Sequence, residues 1–200
     1  MNPVIILARL ILPLTIFKFP LAGGAVSIWL DNIDWHNMNF LGVSPIGNYQ
    51  LIDKMLDMYY LSFLAFVSLR FKNLFVRNIL LALFVYRLVG FIFFEITHAG
   101  ELLFIFPNIF ENFFFFYLIL IKVASYEPRI SKWIFGFFLI LVSIPKMIQE
   151  YSMHVVQEPI MVEFLGTRHE LGTNYQIAYI LIFSIAFGLW YRRKHREPIA

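Results

Sequence analysis

Apolar residues run through this chain in long blocks, and polar residues are confined to the gaps and to a few positions inside the blocks. The first block covers residues 3–30 and is interrupted by Pro13, Lys18, Pro20 and the pair Gly23–Gly24. That punctuation fits one long kinked span or two short half-spans. Five clearer blocks follow at about residues 50–69, 79–98, 102–123, 132–154 and 174–191. A block of about 18 apolar residues or more is long enough to cross a bilayer as a helix. The pattern predicts an all-α fold, a polytopic membrane helix bundle of about six transmembrane helices. No internal repeat, linker or low-complexity tail interrupts it, so residues 1–200 read as a single transmembrane domain.

The gaps carry turn signals. The connection Asp31–Gly47 has Gly42, Pro45 and Gly47–Asn48. Ser125–Lys132 is short and holds Pro128. Val155–Thr173 is the longest and has room for a short interfacial helix.

Composition agrees with a membrane protein. Mean hydropathy is +0.73, and 60% of residues are apolar and 19% aromatic. Arg9 already lies inside the first apolar block and no small-residue cleavage site follows, so no cleavable signal is expected. The absence of cysteine excludes disulfides, thiolate chemistry and Cys-ligated zinc. No Gly-rich phosphate loop or basic-aromatic surface is present, and nucleic acid is not an expected partner.

Charge placement gives an orientation. Arg70, Lys72 and Arg77 crowd residues 70–78. Lys122, Arg129 and Lys132 mark the connection 122–132, and Arg192, Arg193, Lys194 and Arg196 mark the tail. The positive-inside rule makes all three cytoplasmic, in what reads as a cell (plasma) membrane. The C-terminus is then inside, and the N-terminus is inside only if residues 3–30 cross once. Asp31, Asp34, Asp53, Asp57, Glu95, Glu101, Glu150, Glu158, Glu163 and Glu170 fall on the opposite side.

The candidate chemistry centres on residues 29–60. Asp31 and Asp34 are spaced i, i+3, and Asp53 and Asp57 i, i+4, so each pair shares one helix face. Two helix ends offering two carboxylates each suit a hard divalent cation such as Mg²⁺ or Mn²⁺. The bland alternative is two solvated helix ends beside a membrane. Carboxylates near a bilayer are costly and tend to be functional.

Further polar residues sit inside the later blocks. Glu95 and His98 neighbour each other, with Arg87 about two turns below. Pro107, Asn108, Glu111 and Asn112 interrupt the next block. On antiparallel spans Arg87 and Glu111 reach matching depth, about 12 Å in at ~1.5 Å per residue, and are expected to pair. Lys146, Glu150 and His154 form a stripe after Pro145, extended by Gln149, that faces protein or water. His98 and His154 both emerge on the aspartate side. The run Phe113–Phe116 reads as lipid-facing surface and packing.

Two resemblances follow. The spacing Asp31-x2-Asp34 … Asp53-x3-Asp57 is similar to the signature of CDP-alcohol phosphatidyltransferases, Asp-x2-Asp-Gly-x2-Ala-Arg followed by Gly-x3-Asp-x3-Asp. The resemblance implies that the four aspartates hold divalent metal and that Asp57 also serves as base for an alcohol attacking a CDP-lipid. The chain departs from the signature in four places. Trp35 and Tyr49 stand at its two glycines, and Met38 and Asn39 at its Ala-Arg. That family's site faces the cytoplasm, whereas the charge pattern here puts the aspartates outside. The strings YQLIDKMLDMYYL, YRLVGFIFFEITH, FPNIFENFF and QEYSMHV, across residues 49–155, resemble a family of uncharacterised polytopic bacterial membrane proteins and bring no activity with them.

Three functions fit. The first is a metal-dependent, phosphotransferase-like membrane enzyme acting on a lipid phosphate or lipid-linked group. Asp57, His98 or His154 would then accept the proton. The second is a small transporter or ion-coupled carrier, with Arg87, Glu95, Glu111, Lys146 and Glu150 lining a path; small size and no inverted repeat count against it. The third is a non-catalytic scaffold or assembly factor.

Overall fold

The structure is a computed structural model that describes the backbone of residues 3–41, 49–99, 101–124, 132–151 and 170–194. Side chains are described for residues 4–31, 51–99, 102–123, 132–148 without Ile134, 151 and 178–193. The described residues are all-helical, with no strand. Contacts divide the chain into two compact units, Met1–Phe71 and Lys72–Ala200.

In the first unit, helix α1 (Pro3–Ile11) tightens into a 3₁₀ segment over Leu12–Phe17. Pro13 lies at its start, where a residue without an N–H cannot continue an α-helical ladder. The chain turns at Lys18–Phe19 and returns as α2 (Pro20–Leu41). The first apolar block is therefore a helical hairpin rather than one kinked span. Gly23 makes the close approach possible. A Cβ there would lie 2.7 Å from both the Ile16 nitrogen and Thr15 Oγ1. Helix α3 (Tyr49–Ser68) runs parallel to α1. Tyr59 Oη donates to the Leu10 carbonyl at 3.0 Å, and Arg70 Nη1 to the Phe17 carbonyl at 3.0 Å. Phe17 packs edge-on against Phe63, with ring centroids 5.0 Å apart.

The second unit holds α4 (Leu74–Thr97), α5 (Glu101–Ile105), α6 (Ile109–Ala124), α7 (Lys132–Tyr151) and α8 (Glu170–Lys194). Asn73 caps α4 by accepting from the Val76 N–H, so the helix starts five residues before the apolar block. His98 ends it in the left-handed region, φ 54°. Helix α6 is apolar without interruption over residues 113–121 and is covered by α4, α7 and α8, the mark of a core helix. Phe113–Phe116 are all buried, which agrees with their expected role in packing and corrects the expectation that they face lipid. Phe113 meets Phe135 edge-on, with centroids 4.8 Å apart, and Phe116 stacks on Phe138 at 5.1 Å. Ser184 and Gly188 form a small pair one turn apart on α8, letting it close on α6. A Cβ on Gly188 would sit 2.8 Å from Val123 Cγ1.

Two prolines interrupt helical bonding in this unit, and a neighbouring helix answers each. Pro107 separates α5 from α6, so the block at 102–123 is a broken helix. Arg87 donates to the Phe106 carbonyl at 2.7 Å and, more weakly, to that of Leu103 at 3.5 Å. Leu103 is four residues before Pro107, the position whose carbonyl the missing N–H leaves open. Pro145 lies inside α7, and Tyr179 donates to the carbonyl of Leu141, again four residues earlier, at 3.0 Å. Satisfaction of freed carbonyls by neighbouring helices is what tolerates proline where no water is at hand.

By length and composition, two helical stretches suffice to cross a membrane among the described residues. These are Leu74–Thr97, with mean hydropathy 2.2, and Leu102–Val123, with 1.8.

Candidate charge cluster of the first unit

The hairpin and α3 bring five charged side chains from three helices to the end of the unit away from the Phe19–Pro20 turn. Arg9 comes from α1, Asp31 from α2, and Asp53, Lys54 and Asp57 from α3. Asp53 and Asp57 project from one face because they are one turn apart. Arg9 Nη2 lies 2.8 Å from Asp31 Oδ1 and 2.9 Å from Asp57 Oδ1, and its Nη1 lies 2.8 Å from Asp53 Oδ1. Lys54 Nζ takes the remaining oxygens, 2.9 Å from Asp53 Oδ2 and 3.1 Å from Asp57 Oδ2. Arg9 is 4% exposed, while Asp31 is 41% exposed. The planar guanidinium suits this role, since it offers several donors in a fixed fork and stays charged.

One carboxylate oxygen from each of Asp31, Asp53 and Asp57 lies within 4.8 Å of the others. Among the described side chains of the cluster, three carboxylates face two cations. Asp31 is pushed well above the usual carboxylate range, first by the protein crowded around its carboxyl and then by the charge of Asp57. Arg9 opposes both. The local crowding matters more here than the accessible remainder of the side chain, because the carboxyl faces the other charges.

Three of the four predicted aspartates therefore converge. Asp34 lies on α2, but its side chain is outside the described residues, as are the side chain of Glu150 on α7 and the whole of His154. Glu95 and His98 belong to α4 in the second unit. Glu95 is half-buried, and its Oε1 has no hydrogen-bond partner among the described residues. Lys146 is half-buried on α7. The expected Arg87–Glu111 ion pair does not form. Arg87 is satisfied by backbone carbonyls, and Glu111 accepts from Asn108 Nδ2 at 2.7 Å. The two charges match in depth, but the carbonyls near Pro107 compete for the guanidinium and hold it.

Arg9 and Lys54 complete the cluster, and neither is among the candidate residues named from the sequence. Arg9 was noticeable as the lone cation of an apolar block, a position that demands a partner. Lys54 lies between the two aspartates of α3. Compared with known proteins, the chain matches no family model, no curated protein and no solved structure.

Proposed function

We propose that this chain is a multi-pass helical membrane protein, crossing about six times with its C-terminus cytoplasmic. Its first unit carries a divalent-cation site used in phosphoryl-group transfer to or from a lipid phosphate or lipid-linked substrate. The observation that carries this reading is the meeting of Asp31, Asp53 and Asp57 from two helices with their oxygens within 4.8 Å. Hard carboxylate oxygens fit Mg²⁺ or Mn²⁺. A divalent cation bound there would act as a Lewis acid on a phosphoryl oxygen. The aspartate spacing shared with CDP-alcohol phosphatidyltransferases supports the same chemistry.

The chain's own residues divide the remaining work. Arg9, almost fully buried, fixes the three carboxylates at one level and offsets part of their repulsion. Lys54 is a single flexible ammonium at 24% exposure, and its removal from Asp53 Oδ2 and Asp57 Oδ2 frees the oxygens an incoming cation needs. Asp57, with one oxygen on Arg9, is the group positioned to accept a proton from an attacking hydroxyl. The test is transfer by purified protein from CDP-linked lipid and from lipid-phosphate donors, with and without Mg²⁺ or Mn²⁺. Metal-dependent turnover lost in Asp57→Asn supports the reading, and no turnover with either donor class counts against it.

A second reading is favoured by the ion pairs themselves. Arg9 and Lys54 already occupy both oxygens of Asp53 and Asp57. The cluster would then be a fixed electrostatic tie between the hairpin and α3 in a non-catalytic scaffold. Divalent-cation binding separates the two readings.

A further inference from the structure

We propose that the second unit binds an anionic phospholipid of the surrounding bilayer in an aromatic groove between α7 and α8, with the lipid phosphate held by Lys132, Arg192 and Arg193. The groove has a volume of about 470 Å³ and is lined by Trp133, Phe137, Phe138, Phe187 and Trp190. The two helices run antiparallel, so the start of α7 and the end of α8 share one end of the unit. Phe138 and Phe187 form the floor, with ring centroids 4.2 Å apart, and Trp190 stacks on Phe187 at 5.4 Å. Trp133 stands 90% exposed on one wall. Gly136, on the turn between Trp133 and Phe137, has no atom within 4 Å of where a Cβ would be, so the space beside the wall is open.

The charge at the mouth of the groove selects what fills it. Lys132 immediately precedes Trp133 and is exposed. Its ammonium lies 5.7 Å from the Phe75 ring, a contact that leaves its three N–H donors available. Arg193 is exposed and one helical turn beyond Trp190, on the same face, with Arg192 half-buried beside it. No acidic side chain is described at this end of either helix. Tryptophans at headgroup depth with basic residues just beyond them suit an acyl chain laid against aromatic rings and a phosphate above it. Arginine and lysine at one mouth favour a headgroup of net negative charge over a zwitterionic one, whose phosphate is already balanced by its own cation. The proposal rests on the membrane reading but not on the aspartate cluster.

The test uses full-length protein with Trp29→Phe and Trp35→Phe, so that Trp133 and Trp190 alone report. It is reconstituted in phosphatidylcholine vesicles, and insertion is checked by co-flotation. Brominated phosphatidylglycerol or brominated phosphatidylcholine is then titrated in, and tryptophan quenching is read. The expected result is half-maximal quenching at a severalfold lower mole fraction of the anionic lipid. Combined Lys132→Gln, Arg192→Gln and Arg193→Gln should abolish that preference while leaving quenching by phosphatidylcholine unchanged. Equal quenching by the two lipids would mean ordinary bilayer contact and overturn the proposal. So would quenching by neither lipid in protein that floats with the vesicles, because the groove would then be covered by protein, such as a second copy. Failure to float would instead contradict the membrane reading itself.

Discussion

Arg9 and Asp53 are 44 residues apart in the chain, yet the guanidinium Nη1 lies 2.8 Å from the carboxylate Oδ1. The same side chain meets Asp31 and Asp57, so one buried cation joins three helices. Replacing it should be severe. Arg9→Gln leaves three carboxylates facing Lys54 alone, and breaking a buried pair costs roughly 3–5 kcal/mol. The variant is expected to unfold at markedly lower temperature in detergent, and millimolar Mn²⁺ should restore part of the loss. Unchanged melting would show that the cluster does not tie the helices.

Asp31 gives a pH dependence with a definite sign. Its folded titration lies above the unfolded value because of crowding by protein and then Asp57. Its contribution to stability is therefore fully present below the unfolded value of about 3.9 and is lost as pH rises through the raised folded value. Asp31→Asn cannot ionise and escapes that loss. Relative to wild type, it should gain stability as pH rises above about 4, measured by thermal unfolding at fixed salt. A difference that stays constant with pH would contradict the assignment.

The helical hairpin depends on close packing at Gly23. A larger side chain there meets the backbone of Ile16, which cannot rotate away. Gly23→Leu should separate α2 from the 3₁₀ segment and draw Asp31 from Arg9. Spin labels at Leu7 and Val26 would report a longer distance, and an unchanged distance would refute the packing argument.

In the second unit the two proline breaks predict losses of the same sign but different size. Tyr179→Phe removes the donor to Leu141, and Arg87→Met removes the donors to Phe106 and Leu103. Each leaves buried backbone oxygen unsatisfied, at a cost of about 1–3 kcal/mol per group. Arg87→Met should be the larger loss, because Arg87 serves two carbonyls. Equal or negligible shifts in chemical denaturation would argue that water reaches both breaks.

Much of the helical layout was legible in the sequence, because long apolar blocks and the prolines between them act locally. The starts of α7 and the break at Pro13–Pro20 could be read directly, although the direction the chain takes after the break could not. Partners distant in sequence were harder. Arg9 binds residues 22, 44 and 48 positions away, and no periodicity encodes that choice. The Arg87–Glu111 expectation failed for a related reason. Matching charges by depth ignores backbone carbonyls, which become strong acceptors once Pro107 withdraws a donor. The convergence of Asp53 with Asp57 was visible in their spacing, whereas the arrival of Asp31 needed the hairpin.

The central claim is a divalent-cation site on Asp31, Asp53 and Asp57. Mn²⁺ titration of the purified protein, followed by the loss of the free-ion paramagnetic resonance signal, tests it most directly. The account predicts saturable binding that is displaced by Mg²⁺, abolished in Asp53→Asn and Asp57→Asn, and tightened in Lys54→Met, which removes the competing ammonium. Wild-type protein that takes up no Mn²⁺, or binding that survives Asp53→Asn, would contradict it and leave the cluster as a fixed tie between helices.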